Sequence, residues 1–243
     1  MKNTPPTRAL IIAAGRGIRL NEHSQEIPKC LISVGERSII ETILLTLQRA
    51  GIAEVVIVTG YKHEVIEQRL GEGQKLGLQL RYVFNPAWQK RNGVSVYTAR
   101  ECFAPDEPFL LMMSDHLFSA HMLTKLMAAP VAAGEIALAV DPKISAIFDI
   151  DDAMKVVYEG EHIRNIGKTL ATYNGIDCGL FKCTTGLFEA LAAAMVEGDC
   201  SLSDGCSRLI AAGKMKSVEI DEAFWIDIDT PEALAFAIEK LKV

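Results

Sequence analysis

The chain has 243 residues, of which 18 are glycine and 9 proline, an ordinary globular usage that excludes collagen-like and linker-like chains. Hydrophobic residues make up 49% and charged residues 23%, so a sizeable core can be buried and one large domain or two small ones are expected. A net charge of −6 excludes a nucleic-acid grip by bulk charge but leaves room for a few cations around a small phosphorylated substrate.

Residues 8–14 (RALIIAA) form a continuous apolar run ended by Gly15, which predicts a buried parallel strand. The run leads into Gly15-Arg16-Gly17 and further arginine instead of a small neutral cleavage site. It therefore reads as part of a soluble, cytoplasmic protein and not as a signal peptide. Ser38-x-x-Glu41 is a capping box, after which Ile40, Leu44 and Leu47 recur at helical spacing until Gly51. Residues 54–59 predict a strand, 63–70 a helix, 80–85 a strand, 94–102 a helix, 109–113 a strand, 119–129 a helix and 136–140 a strand. This alternation predicts an α/β fold, a mostly parallel sheet with helices on both faces.

Beyond residue 141 the pattern changes. Residues 155–158 and 162–166 flank Glu159-Gly160 as a small antiparallel hairpin, and 176–182 predict another strand. Helices are expected at 187–196 and 202–212, and Thr230-Pro231-Glu232 opens a last one, with Thr as N-cap and Pro at the first helical position. The longest apolar run, 190–196, falls far short of the roughly 18 residues of a membrane span. Cys30, Cys102, Cys178, Cys183, Cys200 and Cys206 form no CxxC or Cys/His ligand spacing and read as reduced, mostly buried thiols. With no repeat or linker, a single domain over 1–243 is expected, carrying a lid-like insertion.

Small or polar residues follow each early strand: Gly15-Arg16-Gly17, Gly60, Asn85-Pro86 and Ser114-Asp115. Open α/β sheets bind ligands at that carboxyl edge. The first of these motifs, AAGRGIRL at 13–20, has two glycines two apart, which lets backbone N–H groups approach a phosphate chain. It is no dinucleotide fingerprint, since Leu20 stands where a third glycine belongs, and no P-loop string occurs. A Gly turn flanked by Arg19 and, after a polar loop, by Pro28-Lys29 suits a triphosphate; the alternative is a solvated loop with surface cations. LLMMSDH at 110–116 and WIDIDT at 225–230 each end an apolar stretch in carboxylates, and Mg²⁺ usually takes one or two carboxylates and completes its shell with phosphate and water. Singly, each Asp reads as a turn or cap residue and His116 as structural. Together with the Gly turn and the lysine, the two strand-end Asp residues point to a metal-assisted phosphate site.

The strings AAGRGIRL, PKCL, SDH and WIDIDTPE resemble the nucleotidyltransferases that join a nucleotide to a phosphorylated sugar or alcohol. Within that superfamily, KRNGVSVYTA, LLMMSDHLFS, DIDDAMKV, IRNIGK, GIDCGLF and WIDIDTPE are most similar to the inositol-1-phosphate cytidylyltransferases, in the same order from residue 9 to 241. The resemblance implies a Rossmann-like nucleotidyltransferase fold with a small β insertion over the acceptor site. It implies Mg²⁺ as cofactor, CTP and inositol 1-phosphate as substrates, and CDP-inositol and pyrophosphate as products, with CDP-inositol passed to a separate membrane synthase. Residues 1–140 would form the nucleotide-binding half and 141–243 the acceptor-binding half.

By position, Ala13, Ala14, Gly15, Gly17 and Arg19 would wrap the CTP, and Lys29 would bridge its α-phosphate and the acceptor. Asn85 and Gly93, with Asn92 and Ser95 nearby, fall where relatives read the base. Asp115 and Asp227 fall on the metal ligands, with Asp229 beside them. Lys168 would hold the acceptor phosphate, and Asp177 and Gly179 would form the acceptor wall. The sequence departs from the family pattern at Ile18, at Cys30 and across 141–148 (DPKISAIF), the last bordering the acceptor. The alternatives are another phospho-alcohol, phosphonate or sugar phosphate as acceptor, another nucleotide, or an inactive nucleotide-sensing module. Retention of Lys29, Asp115 and Asp227 counts against the last of these.

Overall fold

A computed structural model describes residues 5–17 and 27–240. The N-terminal apolar run is β1 (Arg8–Ala13), and a short hairpin of β2 (Ser33–Val34) and β3 (Arg37–Ser38) precedes α1 (Ile39–Arg49). The capping box is formed: the Ser38 hydroxyl accepts from the Glu41 amide at 3.4 Å, and the Glu41 carboxylate accepts from the Ser38 amide at 2.8 Å. Next come β4 (Glu54–Thr59), α2 (His63–Leu70), β5 (Gln79–Phe84) and α3 (Asn92–Thr98). The last is shorter than the expected 94–102, because the Ala99 amide turns to Val96 and a 3₁₀ turn at Arg100–Cys102 completes the segment.

The chain continues through β6 (Phe109–Met113), β7 (His116–Phe118), α4 (Ala120–Ala128) and β8 (Ile136–Asp141). The hairpin then forms from β9 (Lys155–Glu159) and β10 (His162–Gly167), followed by β11 (Gly175–Cys183), α5 (Gly186–Ala194) and α6 (Leu202–Ala211). Last come β12 (Met215–Glu219), β13 (Trp225–Asp227) and α7 (Pro231–Lys240), with the Thr230 hydroxyl accepting from the Ala233 amide at 3.2 Å.

Among the described residues, nine strands make one sheet in the order β5-β4-β1-β6-β11-β8-β12-β10-β9, with β11 also pairing β9. The expected parallel arrangement runs through β5, β4, β1 and β6 and recurs between β8 and β12. At β11 the sheet becomes mixed, since β11 is antiparallel to β6, β8 and β9. The chain enters β11 from the hairpin through a short connection with no crossover helix, and only a crossover forces parallel pairing. β7 and β13 form a separate two-stranded sheet in which His116 faces Asp227.

Alternate residues of β1 feed opposite faces of the sheet. Ala9, Ile11 and Ala13 pack with Ile40, Leu44, Leu123 and Ala237 from α1, α4 and α7. Leu10, Ile12 and Ala14 pack with Val96, Leu191 and Cys206 from α3, α5 and α6. All six cysteines are buried and free. Among the described residues no helix is long and apolar enough to cross a membrane.

Candidate active site

Beyond the carboxyl end of β1, Ala13 and Ala14 are buried and the Ala14 carbonyl accepts from the Tyr61 amide at 3.0 Å, which ties the Gly turn to the end of β4. Gly15 is exposed, with open space where a Cβ would stand. Gly17 has φ +64°, and a Cβ there would lie 2.5 Å from the Lys29 Cβ. Only glycine lets this turn close on the lysine stem. Arg19 falls outside the described residues.

Lys29 opens the 3₁₀ turn Lys29–Leu31 after Pro28 and is 7% exposed. Its ammonium donates to Asp115 Oδ2 at 2.6 Å and to Asp229 Oδ1, and stands 3.8 Å from Asp227 Oδ1. The two-stranded β7–β13 sheet explains how carboxylates so distant in sequence meet. Its pairing sets His116 opposite Asp227, and the Ile228 amide donates to the Asp115 carbonyl at 3.0 Å. His116 Nδ1 lies 2.8 Å from Asp115 Oδ1 and 3.7 Å from Asp227 Oδ1. The His116 ring stacks on Trp225 at 6.0 Å between centroids, and the Trp225 indole N–H donates to Asp141 Oδ2 at 2.8 Å.

The electrostatics follow from this crowding. Burial opposes the Lys29 charge, but Asp115, Asp227 and Asp229 together hold its pKa above the ordinary lysine value. Burial also opposes the Asp115 charge, yet Lys29 and His116 outweigh it and hold this carboxyl below the usual range. For His116, burial is overcome by Asp227 and Asp115, which raise it to about 9. Asp227 is pushed up to about 7 by burial, with Asp115 and Asp229 adding to the effect against His116 and Lys29.

Among the described residues, Asp115, His116 and Asp227 can each offer one ligand atom within 4.8 Å of the others. Asp227 Oδ1 is buried with no hydrogen-bond partner among the described residues. An oxygen-rich donor set with an orphaned carboxylate oxygen fits a hard divalent cation.

The residues expected around the base are committed to internal bonds. Asn85, 1% exposed, donates to the Ser95 hydroxyl at 3.0 Å and accepts from the Ala87 amide at 2.9 Å. Asn92 accepts from the Leu202 amide at 2.9 Å, and a Cβ on Gly93 would lie 2.6 Å from the Ser201 backbone. These four residues dock the start of α3 against β5 and α6.

A cavity of about 680 Å³ opens beside the carboxylates, lined among others by Asn92, His116, Lys168, Asp177, Gly179 and Asp227. Lys168, just past β10, pairs with Asp152 at 2.6 Å. Asp177 accepts from the Gly179 amide at 2.7 Å across a bulge in β11. It is pushed up to about 6 by burial, against the pull of that amide. Gly179 has φ +71°, and a Cβ there would run into the His116 ring. The structure thus gathers the Gly turn, Lys29, Asp115 and Asp227 in one place and sets Lys168, Asp177 and Gly179 around the adjoining cavity. Sequence reasoning undervalued His116, gave no role to Trp225 or Asp152, and marked Asp141 only as the start of the stretch 141–148 bordering the acceptor. The strings SDH and WID held the signal for the first two, once read as facing strands.

Residues 9–212 match the family described as the MobA-like NTP transferase domain. The chain is 32% identical, over 95% of its length, to the "Bifunctional IPC transferase and DIPP synthase" of Rubrobacter xylanophilus, covering 51% of that protein. It is 30% identical, over 92% of its length, to the protein of the same name in Aquifex aeolicus, covering 49% of it. The chain spans about half the length of these relatives. Among solved structures, the inositol-1-phosphate CTP transferase from T. maritima superposes with a TM-score of 0.85 at 24% identity, over 98% of this chain and 97% of that one. That likeness establishes an α/β nucleotidyltransferase fold.

Proposed function

The chain belongs to the MobA-like NTP transferase domain family, and on that premise we propose that it transfers a cytidylyl group from CTP to inositol 1-phosphate, giving CDP-inositol and pyrophosphate. The observation that carries the reading is the meeting of Lys29 with Asp115, Asp227 and Asp229 at the sheet edge, beside a cavity bearing Lys168. The relatives named IPC transferase support the nucleotide and the acceptor.

In this reading the backbone amides of the Gly turn receive the triphosphate, and Lys29 exchanges a carboxylate partner for the α-phosphate. Asp115 and Asp227 would hold Mg²⁺, which supplies charge neutralisation to the phosphates when bound. Lys168 exchanges Asp152 for the acceptor phosphate and orients it. An acceptor phosphate oxygen attacks the α-phosphorus in line as the bond to the bridging oxygen of the leaving pyrophosphate breaks. An ionised phosphate is already a nucleophile, so no general base is required. Positioning and charge stabilisation supply the acceleration.

A pyrophosphate-release screen crossing four nucleoside triphosphates with phosphorylated alcohols and sugars tests this, with Mg²⁺ present or chelated. The expected outcome is turnover with CTP and inositol 1-phosphate that stops on chelation. Equal rates with UTP, GTP or ATP would refute the cytidylyl assignment. Preference for CTP with inert inositol phosphate would refute the acceptor alone.

A further inference from the structure

Lys155, the first residue of β9, is buried at 9% exposure although, among the described residues, no carboxylate stands at its ammonium as hydrogen-bond partner. Its three N–H donors are shared instead among four backbone carbonyls: Ile150 at 3.0 Å, Asp151 at 3.3 Å, Ala153 at 3.3 Å and Lys168 at 3.0 Å. The Tyr173 ring covers it at 5.8 Å. Burying an ammonium is costly, and the cost is offset here by charge-assisted bonds, which are about twice as strong as neutral ones.

The carbonyls belong to two separate pieces of chain. Three lie in the segment before β9 that carries Asp152, and the fourth is that of Lys168, just past β10. The strand register draws the same pieces together, since Lys155 faces Gly167 on one side and Ile176 on the other. Asp152 and Lys168, the side chains borne by the two pieces, both line the cavity and pair at 2.6 Å. The ammonium therefore ties one to the other through the backbone.

We propose that Lys155 is a positioning residue for the acceptor: its caged ammonium fixes the backbone of Lys168 and of the Asp152 segment, and so sets where the acceptor's phosphate is met. The inference rests on the reading of Lys168 as the acceptor-phosphate residue. Without Lys155, four carbonyls lose their common donor and the Lys168 head group is released from a defined place, while the nucleotide site, built on β1, β6 and β13, is untouched.

The test is steady-state pyrophosphate release by Lys155→Met, Lys155→Arg, Lys168→Ala and the Lys155→Met/Lys168→Ala pair, each substrate varied at saturation of the other, with CTP binding measured by calorimetry. Lys155→Met should raise the acceptor KM about tenfold or more, with the CTP KM and Kd within about twofold of wild type. Lys155→Arg should recover much of the loss. The double variant should be little worse than Lys168→Ala, because the two act as one unit. Equal rises in both KM values, wild-type kinetics with only a lower Tm, or effects that multiply in the double variant would each overturn the proposal. If Lys155→Met fails to bind CTP, amide exchange on the wild-type chain decides. Protection of the Ala153 amide close to that of β9 supports the clamp, and exchange at open-loop rates overturns it. A wild-type chain that turns over none of the acceptors refutes the functional reading instead.

Discussion

Asp115 and Asp227 end apolar stretches, and their side chains contribute nothing to the two apolar cores. Asp115→Asn and Asp227→Asn should each lower turnover by more than the ~10²–10³ typical of one charge-stabilising donor, since cation occupancy is itself at stake. Far-UV spectra should remain those of the folded chain, and folded variants with wild-type rates would make both residues structural. The two lysines should separate kinetically. Lys29→Ala should act on kcat, because the α-phosphate changes most in the transition state. It should also lower Tm, because removing the ammonium leaves three crowded carboxylates with His116 as their remaining counter-charge. Lys168→Ala should raise the acceptor KM and spare that of CTP.

Asp177 gives a pH signature. Its folded pKa of about 6 lies above the ordinary 3.8, so the folded chain binds this proton more tightly than the unfolded one. Its stabilising contribution is complete below about pH 4 and lost as pH rises through 6. Asp177→Asn, fixed in the neutral form, should gain Tm relative to wild type between pH 4 and 7; a constant difference would contradict the assignment. Asp115 and Asp227 were legible because each sits in a short string after an apolar run, and Lys29 because Pro28-Lys29 follows the Gly turn across a polar loop. His116 was not, because its worth lies in facing Asp227 across two three-residue strands, a pairing that no local spacing encodes. Asp152 was hidden for the same reason: its partner Lys168 lies on a different element.

Helix α1 shows what local chemistry can specify. Ser38→Ala should cost about 1 kcal/mol in chemical denaturation, since it removes the oxygen that accepts the Glu41 amide. Burial opposes the Glu41 charge, but the Ser38 hydroxyl and amide and Arg69 outweigh it and hold the carboxyl below its usual range. Its stabilisation is therefore present above the unfolded carboxylate pKa and lost as pH falls through the folded one. The gap between variant and wild type should narrow in strong acid to what the hydroxyl–amide bond alone supplies, and a gap that widens there would contradict the cap. Strands such as β1, β4 and β6 were readable from their continuous apolar runs. β12 was not: Ser217 points inward at 9% exposure while Val218 is only partly buried, the reverse of the polarity that marks a half-buried strand. Its register comes from β8, whose six residues are all buried.

The nine-stranded sheet crosses residue 141 without interruption, for β11 lies between β6 and β8 and also pairs β9. The two halves expected from the sequence should therefore unfold together. Trp88 belongs to one half and Trp225 to the other, so Trp88→Phe and Trp225→Phe each leave a reporter in a single half. Their urea curves should coincide with each other and with far-UV dichroism; two resolved midpoints would mean independent domains. The α/β class and the carboxyl-edge site were visible from element order alone. The antiparallel turn at β11 was not, because the alternation of the first 140 residues suggests a crossover that the chain after the hairpin does not make.

That same strand has a kinetic consequence. β11 joins segments brought from far along the chain, Leu180 facing Met112 and Ile176 facing Asp141, so the loops must close before the pairings reward them. Contacts of such long sequence separation slow folding. β1, β4 and β5 all lie within residues 8–84 and can pair as soon as they are made, whereas the cavity wall waits for β11. A nascent chain would thus hold the Gly-turn edge before it has the cavity wall, with β6 an open, apolar strand edge until β11 covers it, and Asp227, on β13, would join last.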